Sequence, residues 1–236
     1  MHRQHFCDTI TIYCVLGIIN THYGVVVIFD TTSGLMLTNA EYTGLNECFQ
    51  PVEKTFNKGE IITIYSPEND SIGIIKSGLA YILTENNEEQ RRISDYFKSG
   101  DFFGLSFLPV TEEKFFYMYA KTDCTVDFIK YRKLINYCEK HCQKHTMLLD
   151  KILTQMIKKQ TTHVDILAQK TLRSKLITYF HYQKSEVGSS KFTLPLPYSD
   201  LADYLAVDRS AMMRELKKLT DENIIAVNKR MIEIKQ

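Results

Sequence analysis

Hydrophobic and polar positions divide the chain into two regimes. From about residue 52, short runs rich in Ile, Phe, Tyr and Thr alternate with Gly59, Gly78, Gly100 and Gly104; they are EIITIY (60–65), IGIIKSGLAYILT (72–84), RRISDYF (91–97) and FFYMYA (115–120). Strands at this spacing, broken by turn residues, predict an antiparallel β-sandwich or barrel. The turn Glu85-Asn86-Asn87-Glu88 would close one hairpin. After Lys130 the period changes. From about Arg132 to Gln183 there is no Pro or Gly, and the stretch predicts a long helix. Leu149, Leu153, Met156, Gln160, His163 and Leu167 recur at alternating spacings of four and three, a coiled-coil-like seam with a polar middle. Such a helix either pairs with its twin in a dimer or packs on its own sandwich, leaving Gln160 and His163 to solvent.

A third pattern begins after the loop SEVGSS (185–190). Phe192, Leu194 and Leu196 alternate as a short strand that Pro195 and Pro197 end. Ser199 is an apt N-cap for a helix carrying Leu201, Ala202 and Leu205 inward, and Asp208 for a second. On the second helix Met212, Leu216 and Leu219 form the inward stripe, Ser210, Arg214 and Lys218 lie opposite, and Arg209 sits in the first turn. Two helices joined by a short turn, the second exposing polar residues at its start, make a helix-turn-helix that can enter a major groove. IIAVNKRMIEI (224–234) then alternates around Asn228-Lys229-Arg230, a basic hairpin tip that reads as a wing able to contact phosphates. The competing reading is a plain helical hairpin whose charges form a solvated face; strand, two helices and wing in that order favour the winged domain.

Charge supports the division. Residues 1–143 carry 13 Lys and Arg against 18 Asp and Glu, and residues 144–236 carry 16 against 10, although the whole chain is only +1. The basic half is the one an anion should prefer. A chain of 236 residues with 44% hydrophobic and 24% charged residues is ordinary for a globular protein of one or two domains. Its six cysteines (7, 14, 48, 124, 138 and 142) lack the density of a secreted disulfide scaffold, so a reducing, cytoplasmic setting is expected. TITIYCVLGIINTHYGVVVIF (9–29) has no charge and is nearly long enough to cross a bilayer. Asn20, Thr21, His22 and Gly24 at its centre, and its β-branched character, favour a pair of strands or a nonnative extension over a membrane span. No small-residue cleavage site marks it as a signal peptide, and Met36 is an alternative start.

FNKGEII (56–62), IIKSG (74–78), SGDFFG (99–104), AKTDCTVDFI (120–129) and LADYLAVDRSAMMREL (201–216) stand in this order. Over nearly all of residues 45–236 the chain resembles regulators of the CRP/FNR superfamily. The resemblance implies an α+β fold: an N-terminal antiparallel β jelly roll of the cyclic-nucleotide-binding type, a long dimerisation helix and a C-terminal winged helix-turn-helix. The expected divisions are an atypical extension (1–44), the sensor (45–143), the dimerisation helix and connection (144–183) and the DNA-binding domain (184–236). In function the resemblance implies a cytoplasmic bacterial transcription regulator, an effector-responsive homodimer on palindromic double-stranded DNA, with RNA polymerase as a further partner and no membrane. By position, Arg209, Ser210 and Arg214 would meet base edges and nearby phosphates, the Arg fork matching guanine O6 and N7. Lys217, Lys218, Lys229 and Arg230 are the candidate phosphate contacts.

The sensor half departs from the cAMP-binding members. Their cassette glycine is followed by Glu for the ribose, and an Arg with Ser or Thr later holds the phosphate; here the corresponding residues are Leu105 and Lys114-Phe115. A lysine offers only a point charge, so the bidentate phosphate site is missing. The effector is therefore expected not to be cAMP or cGMP, and no cofactor is predicted. An unknown small molecule would meet Phe103, Gly104, Leu105, Lys114, Phe115, Gln160 and Thr161. Phe102, Phe103, Phe107, Phe115, Phe116, Tyr117 and Tyr119 either build the core or line a pocket for an apolar ligand or haem. Cys7, Cys14 and Cys48 are too widely spread for an iron–sulfur cluster. In CEKHCQKH, Cys138, Cys142 and His145, with His141 beside them, would share a helical face suited to zinc or copper, but only if the helix is unbroken there. No metal site is predicted. A cupin-type enzyme is disfavoured because no His lies between residues 23 and 140, and the alternatives are a redox, haem or metal sensing regulator of the same fold or a regulator that works without a ligand.

Overall fold

The structure is a computed structural model that describes residues 18–19, 27–28, 48–66, 69–86, 91–104, 114–136 and 143–235. Residues 1–34 form a unit of their own, in which β1 (Ile18–Ile19) pairs antiparallel with β2 (Val27–Ile28). A strand pair is one of the two readings favoured for the uncharged N-terminal run. No helix among the described residues is long and apolar enough to cross a membrane.

In the second unit, β3 (Val52–Phe56), β4 (Ile61–Ile64), β5 (Ser71–Ser77), β6 (Leu79–Asn86), β7 (Arg91–Lys98), β8 (Phe102–Gly104), β9 (Lys114–Ala120) and β10 (Cys124–Lys130) build two antiparallel sheets. Their orders are β3-β10-β5-β8 and β4-β9-β6-β7, the predicted jelly roll. The run IGIIKSGLAYILT is two strands in different sheets. Gly78 makes the corner: its φ is +99°, and a Cβ there would lie 2.3 Å from the Asp123 carbonyl oxygen, so only glycine fits.

Alternation along the strands sends residues to two cores. On β6, Ala80 and Ile82 face the opposite sheet, while Tyr81 and Leu83 face outward; on β9, Phe116, Met118 and Ala120 point in and Tyr117 and Tyr119 point out. The outward residues are covered by the C-terminal domain. The other sheet is covered by helices, Ile72, Ile74, Phe102 and Ile129 packing on Leu134, Leu148 and Ile152.

The predicted continuous helix is broken. It is α1 (Tyr131–Ile135), α2 (Lys144–Ala168) and α3 (Leu172–Val187), with residues 137–142 outside the described ones. Between α2 and α3 the backbone turns extended at Gln169, and Thr171 caps α3, its side chain accepting a hydrogen bond from Ser174 N. A local side-chain oxygen competes with the helical ladder here without any Pro or Gly. The predicted boundary at residue 184 accordingly falls inside α3, whose Leu176, Tyr179 and Phe180 already belong to the core shared with the C-terminal domain.

The seam on α2 is rotated from the predicted one. Leu148, Ile152 and Gln155 are buried; they draw Leu149 and Met156 partly inward, and His163 stacks on Tyr204 with ring centroids 4.0 Å apart. The outward set is Leu153, Ile157, Gln160, Val164 and Leu167, with Ile157 64% and Val164 66% exposed. Beyond α3 come β11 (Lys191–Thr193), α4 (Tyr198–Tyr204), α5 (Arg209–Asp221), β12 (Ile225–Asn228) and β13 (Met231–Ile234), the strands ordered β11-β13-β12. Ser199 is not the N-cap of α4: the helix starts one residue earlier, behind Pro197, and Ser199 instead donates to Asp200.

Candidate nucleic-acid interface and sensor site

The turn between α4 and α5 places Ala206 at φ +52°. Val207 N donates back to Ala202 O at 2.9 Å, and Lys175 from α3 donates to Leu205 O at 3.2 Å. Asp208 then caps α5 as its sequence position predicts, Oδ1 accepting from Ala211 N at 2.7 Å. Met212, Leu216 and Leu219 are buried. At about 100° per residue, that fixes the opposite face, and Arg209, Ser210, Arg214, Lys217 and Lys218 are exposed on it or beside it.

Two acidic residues near this face are neutralised from behind. Arg173 of α3 pairs with Glu222, which holds that carboxyl below the ordinary carboxylate range, and lies 3.6 Å from Glu215. Lys218 is 3.8 Å from Glu215, so it is partly engaged. Arg209, Arg214, Lys217, Lys229 and Arg230 form no ion pair among the described residues. Lys229 and Arg230 sit exposed at the tip of the β12–β13 hairpin.

At the sensor, Phe103 points into the jelly roll, its ring 6.2 Å from that of Phe97 and 5.9 Å from that of Phe128. It occupies space that opens only because residue 73 is glycine: a Cβ there would lie 2.0 Å from the Phe103 ring. Gly104 follows at φ +105°. From α2, Gln155 accepts from Phe102 N at 2.8 Å and donates to Gly100 O at 3.4 Å. One turn on, Lys159 reaches Asp95 at 3.3 Å and Asp101 at 3.6 Å. It also donates to the Tyr96 carbonyl and lies 3.6 Å from the Phe97 ring centroid. Burial pushes the Asp101 carboxyl up, and the Lys159 charge pulls it back only in part.

The winged domain is fastened to the outer face of the β4-β9-β6-β7 sheet. Asp200 accepts from Tyr81 at 2.7 Å and pairs with Lys121 at 2.9 Å. Burial raises its carboxyl, but these hydrogen bonds and one from Ser199 outweigh that and leave it below its ordinary value. Asp203 accepts from the Ile93 amide of the edge strand β7 at 3.2 Å.

Residues 53–141 match the family model described as the cyclic nucleotide-binding domain, and residues 174–236 match that of the Crp-like helix-turn-helix domain. The chain belongs to the CRP/FNR superfamily. It is a DNA-binding transcription regulator of the CRP/FNR type. No curated protein matches it. Among solved structures it is similar to FixK2 from Bradyrhizobium japonicum, with 20% identity, a TM-score of 0.62, and coverage of 79% of this chain and 93% of that one. It is also similar to a CooA mutant from Carboxydothermus hydrogenoformans, at 18% identity and TM-score 0.65, covering 86% and 95%. A third is CLP of Xanthomonas campestris, described as a c-di-GMP-responsive global regulator, at 17% identity and TM-score 0.58, covering 84% and 100%.

In this CRP/FNR regulator, Arg209, Ser210, Arg214, Lys217 and Lys218 are exposed along α5 and Lys229 and Arg230 at the hairpin tip, whereas the predicted effector residues are scattered. Leu105 and the side chains of Lys114 and Phe115 lie outside the described residues, as do Cys138 and Cys142. Gln160 and Thr161 are exposed, because Gln155 and Lys159 take the face of α2 that looks at the sensor. His145 is buried, its Nδ1 3.1 Å from Leu134 O and its ring 4.5 Å from that of Phe49. It lies in the first turn of α2, which begins at Lys144, and residues 138–142, with which it would have shared a helical face, lie outside the described residues. The aromatic crowd divides: Phe103 and Phe116 fill the barrel, Phe102 meets α2, and Tyr117 and Tyr119 meet the winged domain. Periodicity alone does not single out Met213. It is 41% exposed beside Arg209 and Arg214, and its place one residue outside the inward stripe is the signal that could have found it.

Proposed function

We propose that the chain reads a palindromic operator as a homodimer, with α5 in the major groove and the wing on the flanking backbone. The observation that carries this is the division of α5 into a buried Met212, Leu216 and Leu219 face and an exposed face where Arg209 and Arg214 have no ion-pair partner among the described residues. Arg209, Ser210 and Arg214 meet base edges, Met213 offers an apolar contact suited to a thymine methyl, and Lys217, Lys218, Lys229 and Arg230 meet phosphates. The exposed stripe from Leu153 to Leu167 on α2 pairs with its twin, which would set the two α5 helices one DNA turn apart, about 34 Å. RNA polymerase is the further partner, the setting is cytoplasmic, and the chain has no catalytic role.

The signal is not cAMP or cGMP. Leu105 and Lys114-Phe115 lack the Glu and Arg such a ligand needs, and the Phe103 ring fills the barrel behind Gly104. CLP is described as responsive to c-di-GMP and CprK as complexed with OCPA, so the fold serves different ligands, and a different small molecule is the effector here. A ligand-independent regulator is the second reading, favoured by the Gln155 and Lys159 side chains, which themselves tie α2 to the sensor. Selection of duplexes from a random library by the purified chain tests the proposal. A palindrome with half-sites one turn apart is expected, and enrichment of no common site would refute it.

A further inference from the structure

The wing tip holds a backbone conformation that its side chain makes costly. Asn228 and Met231 are paired across β12 and β13, leaving Lys229-Arg230 as a two-residue turn. Lys229 has φ +54°, in the left-handed region that glycine occupies without a steric penalty and lysine does not. Backbone strain of this kind persists only where the surroundings impose it. Here they do so from two sides. The Tyr198 hydroxyl, at the start of α4, donates to the Lys229 carbonyl at 2.6 Å. Leu194 N, just past β11, donates to the Arg230 carbonyl at 2.8 Å.

These two hydrogen bonds also orient the tip. A trans peptide carries its N–H opposite its C=O, and the described chain has no cis peptide. With the Lys229 carbonyl drawn back toward Tyr198, the Arg230 N–H of the same peptide points away from Tyr198. One backbone donor and the Lys229 and Arg230 cations are then gathered at the tip, a combination suited to a single phosphate.

We infer that Tyr198 is a positioning residue for DNA binding: its hydroxyl holds the strained Lys229 turn so that the wing tip grips a backbone phosphate. This rests on the reading of the chain as a DNA-binding regulator and deepens it. Lysine in place of glycine at the tip is then a functional choice, since the side chain is worth more in the complex than the strain costs in the free domain.

The test uses the full chain and a fluorescent mixed-sequence duplex, with affinity measured by anisotropy across a salt series. Removal of one phosphate contact lowers the slope of log affinity against log salt by about 0.9. Lys229→Ala and Tyr198→Phe should each lower it by about that amount, and the double variant no further than Lys229→Ala alone. Lys229→Gly should show the same drop in slope while its melting temperature rises by about 2 °C as the strain is relieved. Three results overturn the inference: an unchanged slope in Tyr198→Phe where Lys229→Ala lowers it, an additive drop in the double variant, or a melting temperature that falls in Lys229→Gly. Salt-independent or absent binding by the wild-type chain would instead sink the DNA-binding reading itself, and this inference with it.

Discussion

The sensor and the winged domain use their cations in opposite directions. In the sensor, Lys159 is turned inward between Asp95 and Asp101, and its ammonium is used up in holding α2 to the barrel. In the winged domain, Arg173 on the rear helix quenches Glu222 and approaches Glu215, so that Arg209 and Arg214 stay outward without an ion pair among the described residues. An inward charge stabilises the fold and is lost to any partner. An outward charge relieved of its acidic neighbours contributes little to stability and is available to a polyanion.

The largest expected effect comes from separating the two protomers. Ile157→Glu with Val164→Glu puts charge on the exposed stripe of α2 and should leave a folded monomer. Linking two binding modules raises overall affinity by about 10²–10⁴, so operator affinity should fall by more than about 100-fold. Sedimentation and anisotropy on the same sample check both halves; a dimer that persists would move the interface off α2. Next, Lys159→Met removes the cation that reaches both Asp95 and Asp101, and breaking a buried pair in this way costs about 3–5 kcal/mol. Urea unfolding should show that loss, while the salt slope of the remaining folded protein stays at the wild-type value. A normal stability would mean that the inward lysine is not what holds the two elements together.

Acid should act with opposite sign on two carboxyls, Asp127 in the sensor and Glu222 in the winged domain. Burial raises the Asp127 carboxyl in the sensor. Its contribution is therefore fully present below the ordinary Asp value, about 3.9, and is lost as pH rises through the raised folded value. Asp127→Asn should be more stable than wild type at neutral pH and equal to it in acid. Glu222 is lowered by its hydrogen bond with Arg173. Its contribution is present above the ordinary Glu value and lost as pH falls through the lowered one, so Glu222→Gln should be weaker at neutral pH and equal in acid. Melting curves across pH for both variants check the pair of signs. Smallest of all is the effect of cAMP or cGMP. Saturating nucleotide should leave the melting temperature unchanged, whereas a bound ligand at a thousand times its Kd would add about 4 kcal/mol.

How far the sequence speaks also differs between the halves. The residues proposed to read base edges lie on one helix whose buried stripe, Met212, Leu216 and Leu219, is unambiguous, so the opposite face follows from the period alone. The wing follows from alternation around three polar residues. Strand runs likewise place the jelly roll, but the two-sided burial of β6 and β9 is harder to see. AYIL and FYMYA are apolar on both faces because one faces the barrel and the other the winged domain, and a continuous apolar run does not say what covers each side. Three further features depend on tertiary context. The break at Gln169–Thr171 has no Pro or Gly to announce it. The rotation of the α2 seam is set by what Gln155 and Lys159 reach. Tyr198 meets Lys229 across 31 positions of sequence, a distance no local pattern spans.

Whether the outward face of α5 reads DNA is decided most directly by one titration. Anisotropy of the selected palindromic duplex and of a scrambled duplex of the same composition should be compared for wild type and Arg214→Ala. A good bidentate contact is worth about 1–3 kcal/mol of discrimination per base. The wild type should therefore prefer the palindrome strongly, and Arg214→Ala should lose about 10- to 100-fold of that preference while melting at the same temperature and keeping most of its affinity for the scrambled duplex. Undiminished discrimination by Arg214→Ala would contradict a base-reading role for this face.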